Sequence, residues 1–139
     1  MPAIGDHWLS RAMSDPTLVT YQLHISLTRS QQVRVGRLGC FRFPAGRYLY
    51  TGSARRNLPA RVRRHLRTAG GENDTLRWHI DYLLTNRFAY VTGVELSAQP
   101  ECRCNQRVDG DMPVPGFGAS DCHAGCGSHL KYLGSDTRP

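Results

Sequence analysis

The segment GRYLYTGSARRNLPARVRRHLR, residues 46–67, joins a strand to a helix and so sets the framework of the fold. Residues 47–52, RYLYTG, predict a strand, and a loop follows them. Asn57 is a typical N-cap residue, and Pro59 is typical of a first helical turn. Apolar side chains then recur every four residues, which predicts an amphipathic helix over 58–69. The whole segment carries seven arginines and no acidic residue.

Two stretches before this segment also have the pattern of strands. Residues 17–27, TLVTYQLHISL, alternate apolar and polar side chains, which predicts a half-buried strand. Residues 31–43, QQVRVGRLGCFRF, alternate less regularly, and Gly36 and Gly39 interrupt them. This second stretch therefore predicts either one bent strand or two short strands.

Helices and strands alternate in the rest of the chain. The pattern predicts a helix over about 75–86 with a buried stripe of Leu76, Ile80, Leu83 and Leu84, a strand over 88–97, a short helix from Pro100 to near Gly110, a loop over 112–127 and an edge strand over 128–133. Within the first of these helices, Asp81 is expected to pair with Arg77. The order of elements predicts an α/β (α+β) sandwich, in which about three helices flank a small, mainly antiparallel sheet.

The length of 139 residues fits one domain. We expect this domain to span 17–133, with flexible tails at 1–16 and 134–139. No apolar run approaches the roughly 20 residues that a membrane-spanning helix needs. The N-terminus also lacks the pattern of a secretory signal. The sequence therefore predicts a cytoplasmic protein that does not contact membranes.

The net charge of +7 is concentrated in the first half of the chain. Between Pro16 and Gly71 there are eleven arginines and no acidic residue, whereas from Glu72 onward there are nine acidic residues and six basic ones. Seventeen of the eighteen basic residues are arginine, whose planar guanidinium binds phosphate through two hydrogen bonds. An arginine-rich genome explains the preference over lysine but not the absence of acids across 56 residues. The distribution therefore indicates a nucleic-acid-binding surface.

Five polar side chains are candidates for a reactive site. Tyr21 lies in the first predicted strand, and Tyr50 lies in the strand that precedes the arginine-rich helix. Arg61 and His65 are four residues apart and so share one face of that helix. Glu101 opens the last predicted helix. Taken singly, such residues are more often structural, because buried tyrosines pack in cores and an Arg-x3-His pair usually faces solvent.

Together these residue types suit the hydrolysis of a phosphodiester. The carboxylate of Glu101 can hold a divalent metal, which polarises a phosphate oxygen. The guanidinium of Arg61 can offset the negative charge that develops on the phosphate in the transition state. A tyrosine oxygen can take a proton from the attacking water if its surroundings favour the phenolate.

Several motifs resemble the GIY-YIG nuclease superfamily. The residues YLYTGSA at 48–54 and LPARVRRH at 58–65 are similar to the second half of its motif, and VTY at 19–21 stands where that family has Gly-Ile-Tyr. The further motifs RWHIDYLL, ECRC and FGASDC…CGSHL resemble its Uri-type stand-alone subfamily. The resemblance covers residues 17–133 and implies the small α/β sandwich of that family.

The resemblance implies an endonuclease that hydrolyses DNA with a single divalent metal, Mg²⁺ or Mn²⁺, and without a small-molecule cofactor. By position it assigns the metal ligand, Glu101, and a catalytic set of Tyr21, Tyr50, Arg61, His65 and Glu101. The nucleic-acid contacts expected around the motif are Arg47, Ser53, Arg55, Arg56 and Arg64. The alternative is a catalytically inactive nucleic-acid-binding module with the same fold.

Two features depart from the pattern of that family. Val19 and Thr20 replace Gly-Ile, and the two motif tyrosines are 29 residues apart, which is further than in typical members. The inserted segment RSQQVRVGRLGCFRFPAG carries several arginines. It either forms an added hairpin that widens the DNA-binding face or extends the sheet.

Four cysteines near the end of the sequence are candidates for a metal site: Cys102, Cys104, Cys122 and Cys126. With His123 and His129 nearby, they offer enough ligands for zinc. Their spacings are Cys-x-Cys and Cys-x3-Cys, whereas zinc sites usually show Cys-x2-Cys pairs. The spacing therefore favours buried, reduced thiols, with zinc as the alternative.

Overall fold

A four-stranded antiparallel sheet forms the centre of the structure, a computed structural model that describes residues 5–73, 75–119, 122 and 124–135. The strands are β1 (Thr20–Leu27), β2 (Gln31–Val35), β3 (Gly39–Phe43), β4 (Gly46–Ser53), β5 (Ala89–Ser97) and β6 (Leu130–Gly134). The helices are α1 (His7–Ser14), α2 (Leu58–Ala69), α3 (His79–Leu84) and α4 (Glu101–Gln106). The main sheet has the order β5-β1-β4-β6, and each neighbouring pair is antiparallel. The predicted α+β class is confirmed, with four helices in the described ranges where about three were expected.

The two central strands place alternate side chains on one face of the sheet, as their sequence period predicts. β1 and β4 pair so that Leu23 lies opposite Tyr50 and Tyr21 lies opposite Gly52. This face packs against α2 and α3, whose Val62 and Ile80 are fully buried in the same core. The alternation that predicts β1 therefore also builds the core.

The helix α2 begins and ends where its capping residues predict. The side chain of Asn57 accepts a hydrogen bond from the backbone N–H of Ala60 at 3.3 Å, and Gly70 follows the last residue. Asn57 has a φ of 54°, a left-handed conformation that asparagine tolerates better than most residues. The cap fixes the first turn, in which the N–H of Arg61 bonds to the carbonyl of Asn57 at 3.3 Å.

The helix α3 is shorter than the helix predicted over 75–86. Leu76, which was expected in the buried stripe, is 41% exposed and lies before the helix. The carboxylate of Asp81 accepts hydrogen bonds from the N–H groups of Arg77 and Trp78 at 2.7 and 2.9 Å. Because these bonds cap the helix from within its first turn, the predicted starting point is wrong.

The N-terminal segment contains a helix, where a flexible tail over 1–16 was expected. Trp8 is 7% exposed and belongs to the hydrophobic core. The guanidinium of Arg11 donates a hydrogen bond to the carbonyl of Leu96 in β5 at 3.5 Å. The side chain of Asp6 makes no cap to this helix, so the sequence carries little local signal for it. The prediction of a tail is therefore wrong for α1.

The C-terminal tail predicted over 134–139 begins inside β6, which ends at Gly134. Residues 136–139, like residues 1–4, lie outside the described part of the chain. No helix within the described ranges is long and apolar enough to cross a membrane.

The insertion between the two motif tyrosines forms a separate hairpin. β2 and β3 pair with each other in a two-stranded sheet that is distinct from the main sheet. Val35 and Phe43 are fully buried on its inner side, whereas Arg34 and Arg42 are exposed on its outer side. Of the two alternatives that the sequence left open, the separate hairpin is confirmed, and its contribution to a DNA-binding face stays a prediction.

Candidate active site

A cleft of about 860 Å³ opens at the end of β4, beyond its pairing with β6. Its walls come from β1 and β4, from the N-terminal ends of α2, α3 and α4, and from the loop before β6. Four of the five residues assigned to catalysis line it: Tyr21, Tyr50, Arg61 and Glu101. The fifth, His65, contacts Tyr21 from the core side. The fold therefore brings together residues that are far apart in the sequence.

Tyr21 and His65 form a buried hydrogen bond next to the cleft. The Tyr21 hydroxyl lies 2.7 Å from Nε2 of His65, and both residues are at most 2% exposed. Burial lowers the pKa of His65 to about 4, although the charge of Asp81 opposes this, so the imidazole is neutral at pH 7. Nδ1 of His65 lies 4.0 Å from the carboxylate of Asp81, which favours the neutral tautomer with its proton on Nδ1. Nε2 is then the acceptor, and Tyr21 donates its O–H to it.

The phenols that line the cleft are protonated. Burial raises the pKa of both Tyr21 and Tyr50 well above the ordinary value, and the nearby guanidinium of Arg61 offsets this effect only in part. The expected condition, surroundings that favour a phenolate, is therefore not met at either tyrosine. A proton that the Tyr21 oxygen takes from water must be matched by one that Tyr21 passes to His65.

Gly52 leaves the space that the Tyr21 hydroxyl occupies. The two residues lie opposite each other in the pairing of β1 and β4. A Cβ atom at position 52 would lie 2.5 Å from the Tyr21 oxygen, which is closer than non-bonded atoms approach. The glycine of the YTG motif is therefore required by this close approach.

Glu101 is held as an anion by two neighbours. The Ser53 hydroxyl donates to Oε1, and Nδ1 of His129 lies 2.5 Å from Oε2. Burial acts to raise the pKa of Glu101, but the hydrogen bonds from His129 and Ser53 outweigh it and hold the pKa below its ordinary value. Burial likewise opposes protonation of His129, but the bond to Glu101 raises its pKa to about 9. The Glu101 side chain is 26% exposed, and it is the only carboxylate among the described residues that line the cleft.

Arg61 and Arg77 bring two guanidinium groups to the cleft across Trp78. Their Cζ atoms lie 4.6 and 4.8 Å from the centre of the Trp78 ring, within the range of a cation–π contact. Arg61 also donates from Nη1 to the carbonyl of Ser53 at 3.4 Å. The sequence did not place Arg77 or Trp78 in the site, although both belong to the RWHIDYLL motif that carries part of the resemblance.

Arg64, which the sequence predicts as a nucleic-acid contact, makes an ion pair within the protein. Its Nη1 lies 3.1 and 3.2 Å from the two carboxylate oxygens of Asp81, and its Nη2 donates to the carbonyl of Thr75 at 3.0 Å. Asp81 is fully buried, so this ion pair joins α2 to α3. Arg77, the predicted partner of Asp81, contributes its backbone N–H instead. Tertiary packing of α2 on α3, which neither helix encodes alone, accounts for the change of partner at Asp81.

The other predicted nucleic-acid contacts are distributed along β4 and the loop after it. Ser53 lines the cleft and bonds to Glu101. Arg55 and Arg56 are exposed in the loop that follows Ser53. Arg47 is exposed at the other end of β4, roughly 20 Å from Ser53 at about 3.3 Å per residue. The structure therefore places Arg55 and Arg56 near the cleft and Arg47 away from it.

Comparison with protein families matches residues 20–139 to the family described as Domain of unknown function DUF123. The chain belongs to DUF123. The DUF123 match begins at the first residue of β1 and includes every residue that lines the cleft, whereas α1 precedes it. No curated protein and no solved structure matches the chain. The family description assigns no activity, so a function has to be argued from the chemistry of the cleft.

The DUF123 domain also gathers three cysteines and one histidine at the edge of the cleft. Four ligand atoms lie within 4.8 Å of one another, those of Cys102, Cys122, Cys126 and His129. Cys104, which belonged to the predicted zinc set, bonds through its thiol to the carbonyl of Gln99 at 3.8 Å. His129, in the CGSHL motif, takes the place of Cys104 in the cluster, while His123 lies outside the described residues.

Proposed function

We propose that the chain is a divalent-metal-dependent endonuclease that hydrolyses phosphodiester bonds in DNA. The observation that carries the proposal is the convergence of Tyr21, Arg61 and Glu101 on one cleft, although three separate elements supply them. The acid-free, arginine-rich segment over 16–71 supports a polyanionic substrate. The resemblance to GIY-YIG nucleases supports the class of reaction.

Glu101 has the properties of a ligand for a hard divalent cation. Its lowered pKa keeps it ionised, and it is partly exposed at the cleft wall. Each of its oxygens accepts one hydrogen bond and retains a further lone pair. A single carboxylate in an open cleft fits Mg²⁺, which proteins commonly hold with one or two carboxylates, water and substrate phosphate. When bound, Mg²⁺ or Mn²⁺ would act as a Lewis acid that polarises a phosphate oxygen.

The side chains around Glu101 would hold the phosphate and direct the attacking water. Arg61 binds the phosphate and stabilises the charge that grows on it. The Tyr21 oxygen accepts a hydrogen bond from the water, since its own hydrogen is donated to His65. As the water gives a proton to Tyr21, Tyr21 passes its proton to the neutral Nε2 of His65. The imidazolium that results lies 4.0 Å from the carboxylate of Asp81, which favours it.

A plasmid-nicking assay tests the proposal. We expect the wild-type protein to nick supercoiled DNA with Mg²⁺ or Mn²⁺ and not with EDTA. Glu101→Gln should abolish nicking, because it removes the negative charge that holds the metal. The matched control is Glu95→Gln, since Glu95 is 62% exposed and pairs with His24 outside the cleft. Metal-independent nicking, or equal nicking by the two variants, would contradict the proposal.

One observation favours a second candidate, a nucleic-acid-binding module of the same fold without hydrolysis. Both oxygens of Glu101 are already bonded within the protein, by Ser53 and His129, as in a structural carboxylate. Such a module would bind DNA with an affinity whose logarithm falls by about 0.9 per phosphate contact for each decade of salt. Salt-dependent binding without nicking favours the module, and a flat salt response in a filter-binding titration would exclude both candidates.

A further inference from the structure

We propose that Cys102, Cys122, Cys126 and His129 bind one structural zinc ion at the edge of the cleft. The four ligand atoms already lie within 4.8 Å of one another, and the sulfur atoms of Cys102 and Cys122 are 3.6 Å apart. Zn–S bonds of about 2.3 Å and Zn–N bonds of about 2.0–2.1 Å in a tetrahedron imply ligand separations of roughly 3.5–3.8 Å. Small side-chain movements would therefore complete the site.

The nitrogen Nε2 of His129 provides an independent sign of a missing ligand. His129 is 1% exposed, and its buried Nε2 has no hydrogen-bond partner among the residues that the structure describes. A buried polar atom without a partner is costly and uncommon in folded proteins. The other nitrogen, Nδ1, lies 2.5 Å from the carboxylate of Glu101. Donation of Nδ1–H to that carboxylate leaves Nε2 as the atom that binds the metal.

The surroundings of the cluster match those of a zinc site beyond its four ligands. A carboxylate that accepts from a ligating histidine is a common arrangement, and it orients the ring and raises its basicity. The amide Nε2 of Gln106 donates to the sulfur of Cys126 at 3.4 Å, which suits a thiolate. The amide of Asn105 holds the loop to α4 through the carbonyl of Ser128 at 2.8 Å. These contacts fix the ligands before a metal arrives.

Four protein ligands fill the coordination sphere of zinc, so the ion would be structural. It would fasten the loop before β6 to α4, and this loop forms one wall of the cleft. Because Glu101 lines the cleft and also bonds to His129, its carboxylate connects the cleft to the zinc cluster. Glu101 would therefore orient His129 for zinc binding, and this role does not depend on whether the cleft is catalytic.

Elemental analysis of the wild-type protein, purified without chelators, is the first test. We expect about one zinc per chain, and a lower melting temperature after treatment with a zinc-selective chelator. Replacement by Co²⁺ should give the visible absorption of a tetrahedral site together with thiolate charge-transfer bands. A protein that neither contains zinc nor takes it up from solution would overturn the proposal. A disulfide between Cys102 and Cys122, detected by mass spectrometry in place of the metal, would do the same.

Variants of single cysteines test the ligand set. Cys126→Ser should lose the zinc, whereas Cys104→Ser and Cys40→Ser should keep about one ion per chain, since neither thiol belongs to the cluster. Loss of zinc from Cys104→Ser would show that the ligands are assigned wrongly. If Cys126→Ser does not fold, the zinc content and the Co²⁺ spectrum of the wild-type protein decide the question.

The link to Glu101 has its own measurement. Removing the partner of a ligating histidine typically lowers metal affinity by about 10–100-fold, and we expect this of Glu101→Gln in a competition titration with a chelator. An unchanged zinc affinity would overturn the link. These measurements use no DNA, so they are independent of the proposed nuclease activity. If Glu101→Gln is loaded with zinc and still does not nick DNA, the loss of nicking arises in the cleft and not from loss of zinc.

Discussion

The hydroxyl of Tyr21 lies 2.7 Å from Nε2 of His65 at the inner wall of the cleft, which Tyr21 lines although both residues are almost fully buried. Burial keeps the phenol protonated and the imidazole neutral. The carboxylate of Asp81, 4.0 Å from Nδ1 of His65, favours the tautomer in which Nε2 accepts from Tyr21. The free lone pair of the Tyr21 oxygen is then an acceptor at the cleft, where water could donate to it. The hydrogen bond couples the two side chains, so a substitution of either residue also affects the other.

Replacing Tyr21 with phenylalanine removes one oxygen and keeps the ring in the core. If the oxygen takes a proton from the attacking water, single-turnover cleavage should fall by about 10²–10⁴-fold, the range for a general acid–base group. Tyr48→Phe is the matched control, because its hydroxyl donates to the carbonyl of Pro44 and does not line the cleft. The control should cleave at nearly the wild-type rate, and equal losses would refute the role of Tyr21.

The lowered pKa of His65 predicts that acid destabilises the fold. In the unfolded chain His65 takes up a proton near its ordinary pKa of 6.5, whereas in the folded chain its pKa is about 4. The unfolded state binds more protons in this window, so the free energy of unfolding should fall as the pH drops from 6.5 to 4. The shift corresponds to a loss on the order of 3 kcal/mol. Denaturant unfolding at a series of pH values measures it.

His65→Gln supplies the comparison, because glutamine can still accept from Tyr21 but does not titrate. Its unfolding free energy should depend less on pH in this window than that of the wild-type protein. His79 also has a pKa lowered by burial and contributes with the same sign in both proteins. His129 is present in both proteins, so its raised pKa contributes equally to the two pH curves. Parallel pH curves for wild type and variant would show that His65 titrates normally.

The contact between Gly52 and Tyr21 predicts that alanine destabilises the fold more at position 52 than at position 93. Gly52→Ala would place a Cβ atom 2.5 Å from the Tyr21 oxygen, so the ring must move. We expect a loss of about 1–3 kcal/mol in the free energy of unfolding, as in an overpacked core. Gly93 in β5 is the control, because the nearest atom to its added Cβ is 3.7 Å away, an ordinary contact. Equal melting temperatures for Gly52→Ala and Gly93→Ala would contradict the close approach.

Local patterns in the sequence were sufficient for the elements that position the cleft. The alternation around Tyr21 fixes which side chains of β1 face the core, and the cap at Asn57 fixes the register of α2 and thus of Arg61. Contacts between distant elements have no such local signal. The sequence therefore gave no indication that Arg64 pairs with Asp81 or that His129 bonds to Glu101.

The helix α1 shows the same limit in a different form. Its pattern is only eight residues long and has no side-chain cap, so its stability comes from packing against the rest of the fold. Trp8 contributes most visibly, because it is buried in the core formed by the sheet and the other helices. Short helices of this kind are marginal alone and depend on tertiary contacts. The sequence of α1 therefore looks like that of a flexible tail, because the contacts that stabilise the helix come from the rest of the fold.

The position of Arg61 at the cleft predicts that it supports cleavage more than affinity. Its guanidinium is held by Trp78 and by the carbonyl of Ser53, so it is ordered before a phosphate arrives. A preorganised group that stabilises the transition state contributes on the order of 3 kcal/mol, or about a hundredfold in rate. Arg61→Ala should therefore lower single-turnover cleavage at saturating DNA by about that factor.

Arg63 is the control for Arg61, because it is exposed on the same helix and does not line the cleft. Arg64 is unsuitable, since its removal would leave the buried carboxylate of Asp81 without its partner. As a simple phosphate contact, Arg63→Ala should weaken binding and reduce the salt slope by about one contact, with little change in the rate at saturation. Single-turnover cleavage with protein in excess separates rate from affinity. If the two variants lose rate equally, Arg61 is one more phosphate contact and has no special part in the chemistry.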